Sequence, residues 1–226
     1  MKQKVSVYFM LLGILFNVCL ITSNLLGTKV INLFGYGVTG GLLVFPLSYI
    51  INDCVSEVWG YKKARLIIWT GFLSNFFVVL LGLIAVVIPP APYWEGAEHF
   101  NFVFGFAPRI AIASLLAFVV GSFLNAYVMS RMKLRDKEKR FSLRAIVSTL
   151  VGETSDSIIF FPIAFGGVLT GSQLLQMMLL QIVLKTAYEI IILPVTIRVV
   201  KKIKSLEGTD VYDENISYNI WKVKEL

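Results

Sequence analysis

The sequence predicts an all-α integral membrane protein, built as a bundle of six transmembrane helices. Three observations carry this. Of 226 residues, 57% are hydrophobic and 15% charged, with a mean hydropathy of +0.76, whereas soluble domains carry about 25% charged residues. The chain divides into apolar stretches long enough to cross roughly 30 Å of hydrocarbon as helices. Its basic residues are concentrated in alternate connections, which is the asymmetry of a membrane topology.

Residues 5–26 form the first expected span. No small-residue cleavage site follows it, so it reads as a retained helix rather than a signal peptide. Asn17 and Asn24 lie seven apart on one face, suited to helix–helix hydrogen bonding or to a solute. A short loop with Lys29 follows, and Gly35, Gly37, Gly40 and Gly41 close it as turn or close-packing positions. Residues 39–58 form the second span, with Pro46 inside and Asn52, Asp53, Ser56 and Glu57 on its inner half. Asp53 and Glu57 are four apart and share a helical face with Tyr49. Either these carboxyls line a polar interior, or they sit at headgroup depth against Lys62, Lys63 and Arg65.

Gly60 and Tyr61 end that span, and residues 64–88 form the third. There Gly71, Asn75, Val78 and Gly82 make a stripe suited to close helix packing. Residues 93–108 read as the longest outer loop. Its alternating Phe100, Phe102, Phe104 and Phe106 suit an interface belt or a lid. Its His99 is the sole histidine and supports neither a triad nor a metal site.

Arg109 opens the fourth span, residues 109–130, with Ser114, Ala117, Gly121 and Asn125 on one face. A basic loop, residues 131–144, leads to the fifth span, residues 145–168. It carries six consecutive small or polar residues, 152–157, which cannot face lipid cheaply. Thr149, Glu153, Asp156 and Phe160 share one face. The sixth span, residues 174–200, carries Gln181, Lys185, Tyr188 and Glu189 as a stripe, then Pro194. Lys185 and Glu189 could also pair within their own helix. The membrane domain is expected over residues 1–204 and a polar cytoplasmic tail over 205–226.

Eighteen of the 21 Lys and Arg residues fall on the side of the termini, leaving Lys29 and Arg109 opposite and Lys185 within the membrane. That places both termini in the cytoplasm, with the spans among membrane lipids. The net charge of +7 is therefore a topology signal and not a nucleic-acid footprint. Metalloprotease, nucleophile-elbow and Walker signatures are absent, as are Cys/His clusters. An enzyme is not expected, nor is any cofactor. Intramembrane Asp53, Glu57, Glu153, Asp156, Lys185 and Glu189 suggest an internal site or pathway.

The succession Asn24, Lys29, Phe45-Pro46, Asp53-x-x-x-Glu57-x-x-Gly60-Tyr61, Ala64-Arg65, Asn75, Arg109, Ala113-Ser114, Asn125, Arg144, Ser148, Asp156, Phe160, Gly167, Lys185, Glu189 and Pro194 resembles the queuosine precursor transporters. These are six-span bacterial inner-membrane proteins of the vitamin-uptake-transporter group. The resemblance implies import of the 7-cyano and 7-aminomethyl 7-deazaguanine precursors of queuosine. It also implies an architecture similar to the substrate-binding subunits of energy-coupling-factor importers.

Such a purine-like base offers a guanidine-like edge to a carboxylate, an oxygen to Asn, Gln or Lys, and a flat face to an aromatic ring. The expected substrate-binding set is Asn24, Asp53, Glu57, Asn75, Asp156, Phe160, Gln181, Lys185, Tyr188 and Glu189. Transport of another small polar solute or vitamin is the alternative, and a membrane-embedded enzyme a weaker one. A homo-oligomer and a partner ATPase module both stay open.

Overall fold

The computed structural model describes residues 6–33, 36–105, 108–136, 140–167 and 169–222. Gly35, Phe106, Val168 and residues 137–139 of the basic loop lie outside the described residues, as do the side chains of Gly37 and Arg109. Six α-helices dominate. Helix α1 (Val7–Gly27) is capped by the Ser6 hydroxyl, which accepts from the Phe9 backbone N–H at 3.1 Å. The expected glycine-rich loop after it is in fact a hairpin. Strands β1 (Val30–Leu33) and β2 (Tyr36–Thr39) pair antiparallel, with Val30 opposite Thr39. A 3₁₀ turn, Gly40–Leu43, leads to α2 (Phe45–Val87).

Helix α2 has 43 residues, about 65 Å at 1.5 Å per residue and twice the hydrocarbon thickness. It is not one crossing. Gly60 sits at φ 79°, ψ 176°, a region open to glycine almost alone, and divides it into α2a (45–59) and α2b (61–87). The chain reverses there. The Phe9 ring of α1 lies 5.5 Å from Trp59 and within cation–π reach of Lys63. Farther along, a Cβ on Gly71 would strike Phe16, and Asn24 bonds Asn75. Helix α2b therefore runs beside α1 in the same sense, and α2a runs in the opposite sense. The five long apolar helices so provide six crossing segments.

Residues 93–108, expected as a loop, contain helix α3 (Ala97–Gly105). Phe100 and Phe104 are better read as an i, i+4 pair than as an alternation. Their rings are 4.7 Å apart, and Phe104 covers Gly82 of α2b. The remaining helices are α4 (Pro108–Asp136), α5 (Phe141–Phe165) and α6 (Gly171–Glu207). A capping box of Thr170 and Gln173 starts α6. Helices α4 and α5 approach to backbone contact. A Cβ added at Gly121 would lie 2.4 Å from the Tyr49 hydroxyl and 2.9 Å from the Gly152 carbonyl, so only glycine fits there.

The end of the bundle holding the α1 N-terminus and the Gly60 reversal is here called the near end, and the hairpin end the far end. At the near end, Gly208 turns the chain in the left-handed region, at φ 59°. Residues 209–222 then lie across the Gly60 break. The Val211 N–H donates to the Val58 carbonyl at 3.1 Å. Buried Asp213 accepts from the Tyr61 N–H at 2.9 Å and from the Ser130 hydroxyl. Arg65 and Trp69 donate to the Asn219 and Ile220 carbonyls at 2.7 and 2.8 Å. This part of the expected polar tail is a strap that satisfies donors exposed by the helix break.

Candidate substrate site

A cavity of about 200 Å³ lies toward the far end, between α1, α2, α4, α5 and α6. Its polar wall is assembled from single residues on separate helices. Asn24 links α1 to its neighbours by accepting from the Ser114 hydroxyl of α4 and donating to the Asn75 side-chain oxygen of α2b, both at 2.7 Å. The Asn75 Nδ2 is buried with no partner, so its donor is open for a solute. That buried donor is costly to leave unmade.

Opposite, Lys185 of α6 reaches α5. Its Nζ donates to Glu153 Oε2 at 2.7 Å and Asp156 Oδ2 at 3.3 Å. It also lies 4.1 Å from the centre of the Phe45 ring. Asp156 and Lys185 both face the cavity, while Glu153 is fully buried behind them. Glu153 Oε1 has no partner. Gln181, one turn from Lys185, donates to Thr39 of β2 at 3.3 Å, so the hairpin contributes to the mouth. Phe160 of α5 and Phe104 of α3 supply aromatic wall.

The structure thus gathers Asn24, Asn75, Asp156, Phe160, Gln181 and Lys185 around one cavity. It places the other four elsewhere. Helix α2a descends toward the near end, so each i+4 step moves a side chain about 6 Å away from the cavity. Asp53 is fully buried below it, in contact with Glu189 of α6. Glu57 lies a turn deeper, among cations: Arg144 and Lys204 reach its Oε1 at 2.7 and 2.8 Å, with Lys133 at 4.0 Å. Sharing a face with Asp53 does not put Glu57 at the same depth. Tyr188 packs against the apolar core instead.

Sequence reasoning passed over Ser114, Thr39 and Phe45 as site residues. Ser114 carried a signal, since it shares a small-residue face with Gly121 and Asn125. Thr39 carried none, because the hairpin that aims it depends on tertiary packing, and Phe45 stood out only as part of the succession that resembles the family. Lys185 pairs across helices with Glu153 and Asp156 rather than with Glu189 along its own helix.

A family model described as "Putative vitamin uptake transporter" matches residues 39–199, which spans every crossing segment but the first. Among curated relatives, a "Probable queuosine precursor transporter" of Bacillus subtilis is 29% identical, over 77% of this chain and 76% of its own. A "Queuosine precursor transporter" of Escherichia coli is 33% identical, over 67% of this chain and 66% of its own. A third, "Probable queuosine precursor transporter" of Haemophilus influenzae, is 30% identical over 64% of this chain and 59% of its own. No solved structure matches the chain, so the likeness to energy-coupling-factor subunits rests on resemblance alone. The matched residues carry α2 through α6 and most of the polar cavity wall, and on that match the chain belongs to the "Putative vitamin uptake transporter" family of multi-pass membrane proteins.

Proposed function

We propose that this chain imports queuosine precursors, the 7-cyano and 7-aminomethyl 7-deazaguanines, across the bacterial cytoplasmic membrane. The names of the relatives support the substrate class. The observation that carries it to this site is the cavity wall itself. A carboxyl, Asp156, is held by Lys185 beside the aromatic face of Phe160, and an open amide donor, Asn75 Nδ2, stands across from them.

Asp156 accepts the N1–H and amine edge of the base in two parallel bonds. Asn75 donates to its exocyclic carbonyl oxygen, and Phe160 stacks on its face. Asn24 orients Asn75, and Gln181 holds the mouth. Lys185 keeps Asp156 ionised and aimed. A site that satisfies these edges rejects analogues lacking them by a large factor, because its own buried groups would be left unpaired. The near end, with its basic side chains, faces the cytoplasm, and the cavity opens to the outside. Glu57 with Arg144, Lys204 and Lys133, together with the strap, closes the cytoplasmic end in this form.

The test is direct binding of both deazaguanines to purified protein, with Asp156→Asn as the variant. Loss of the ionised acceptor from a buried site costs about 2 kcal/mol or more, roughly a thirtyfold weaker affinity. Wild-type protein that binds neither base, or an Asp156→Asn variant that binds as wild type, overturns the assignment. A different small solute bound at the same cavity would mark the alternative.

A further inference from the structure

We propose that the buried carboxyl pair of Asp53 and Glu189 binds the proton whose movement drives import, making the transporter a proton symporter. This rests on the substrate reading above and adds its energy source. The pair lies one helical turn below the cavity floor. Asp53 is on α2a and Glu189 on α6, four residues past Lys185. They are 0% and 2% exposed, and their side chains touch.

The groups that touch the pair directly are neutral. From α5, the Ser148 hydroxyl points at both oxygens of Asp53, at 3.2 and 3.5 Å, and Thr149 is buried beside Glu189. From α4 the facing group is the neutral amide of Asn125. The titratable and charged groups around the pair are Tyr49, Cys54 and Glu57 on α2, Arg144, Glu153 and Asp156 on α5, and Lys185 on α6. Lys185 is engaged by Glu153 and Asp156, and Arg144 by Glu57. Among the described residues, no Lys or Arg forms an ion pair with Asp53 or Glu189. Glu189 Oε2 is buried with no partner at all.

Charge balance then decides the pair's state. Four carboxyls, those of Asp53, Glu153, Asp156 and Glu189, share one interior lysine. Two carboxylates in contact at membrane depth, with no cation and no solvent, cannot both stay ionised. They hold a proton between them, as carboxyl dyads do, and that proton belongs to the pair rather than to one residue.

The geometry also gives the coupling its sign. While the pair is protonated, Lys185 stays at the cavity floor, and Asp156 is an ionised, oriented acceptor for the base. When the proton leaves, Glu189 becomes a carboxylate one turn below Lys185 on the same helix face. It draws the ammonium group down by the i, i+4 spacing. Asp156 then loses the cation that aims it, and the base is released. Protonation favours substrate binding, and substrate binding favours protonation to the same degree. The entering proton passes from cavity water to the carboxylate of Asp156, then to the unpartnered Glu153 Oε1, then to Glu189. Each step converts one carboxylate to a carboxylic acid and regenerates the one before it.

The experiment uses full-length protein in proteoliposomes with 7-cyano-7-deazaguanine, which is neutral near pH 7 and brings no exchangeable charge of its own. Wild type should accumulate it under an imposed gradient, acid outside. One proton per solute supports up to about tenfold accumulation per pH unit. Asp53→Asn and Glu189→Gln should still exchange labelled for unlabelled base but lose accumulation. A second measurement needs no substrate: the infrared carbonyl band of a protonated carboxyl, present in wild type near pH 7 and lost in Glu189→Gln. Wild type that exchanges but never accumulates, or Glu189→Gln that accumulates fully, overturns the proposal. So does absence of the band. Wild type with the band but no exchange of the base overturns the substrate reading instead, and the coupling to this solute with it.

Discussion

Removing the Lys185 ammonium tests the interior electrostatics most directly. Lys185→Met keeps the length and apolar stem of the side chain but deletes the charge. The ammonium makes two charge-assisted contacts, 2.7 Å to Glu153 and 3.3 Å to Asp156, and sits 4.1 Å from the Phe45 ring centre. Glu153 is 0% exposed and Asp156 7%, so water cannot replace the lost partner. Breaking a buried pair in this way costs about 3–5 kcal/mol, because it strands an uncompensated charge. Replacing both partners is far milder, since a neutral pair of similar volume leaves no charge behind. Lys185→Met should therefore unfold at clearly lower denaturant or temperature in detergent. The double variant Lys185→Met/Glu153→Gln should recover about 2 kcal/mol of the sum of the two single losses. The assay is a double-mutant cycle on unfolding, with base binding measured on each folded variant. A loss below about 1 kcal/mol for Lys185→Met, or single effects that add within about 0.5 kcal/mol, would refute the charge argument. Binding should fail in both lysine variants, because Asp156 loses the cation that aims it.

Phe160→Ala should weaken binding of 7-cyano-7-deazaguanine by about tenfold to a hundredfold, the range expected of a lost base–aromatic stack, and equilibrium binding that stays unchanged removes the ring from the site. Gly121→Ala should destabilise by about 1–3 kcal/mol through overpacking against Tyr49 and Gly152, whereas Gly27→Ala, with open space around it, should stay near wild type in the same unfolding assay. A cysteine at exposed Glu98 should react with an impermeant reagent added outside intact cells and one at exposed Lys201 should not, and the opposite pattern would invert the orientation.

The helices were readable in the sequence because burial in lipid constrains composition strongly. A crossing segment has to be apolar for about twenty residues, and breaks such as Gly60 have to be glycine where φ is positive. The small-residue faces were readable for a related reason. Gly71, Gly82 and Gly121 each meet a ring or a hydroxyl that a methyl group would strike. The hairpin, helix α3 and the docked strap were not readable. Each is short, and each is held by partners remote in the sequence, as Asp213 is held by Tyr61 and Ser130.

The candidate site divides along the same line. That Asn24, Asp53, Asp156, Lys185 and Glu189 face inward follows from residue type and helical spacing, since no ionisable group sits against lipid without cost. Depth and partnership do not follow from spacing. Asp53 and Glu57 look equivalent on a helical wheel. The packing of α5 and α6 against α2a gives Glu57 two cations within 3 Å and gives Asp53 another carboxyl. The sequence determined by itself that this chain lies in a membrane and carries a polar interior, because both are written in local composition. Which carboxyls meet a cation, which meet each other and which meet the cavity is settled by helix packing, because those contacts join helices up to 147 residues apart in the chain.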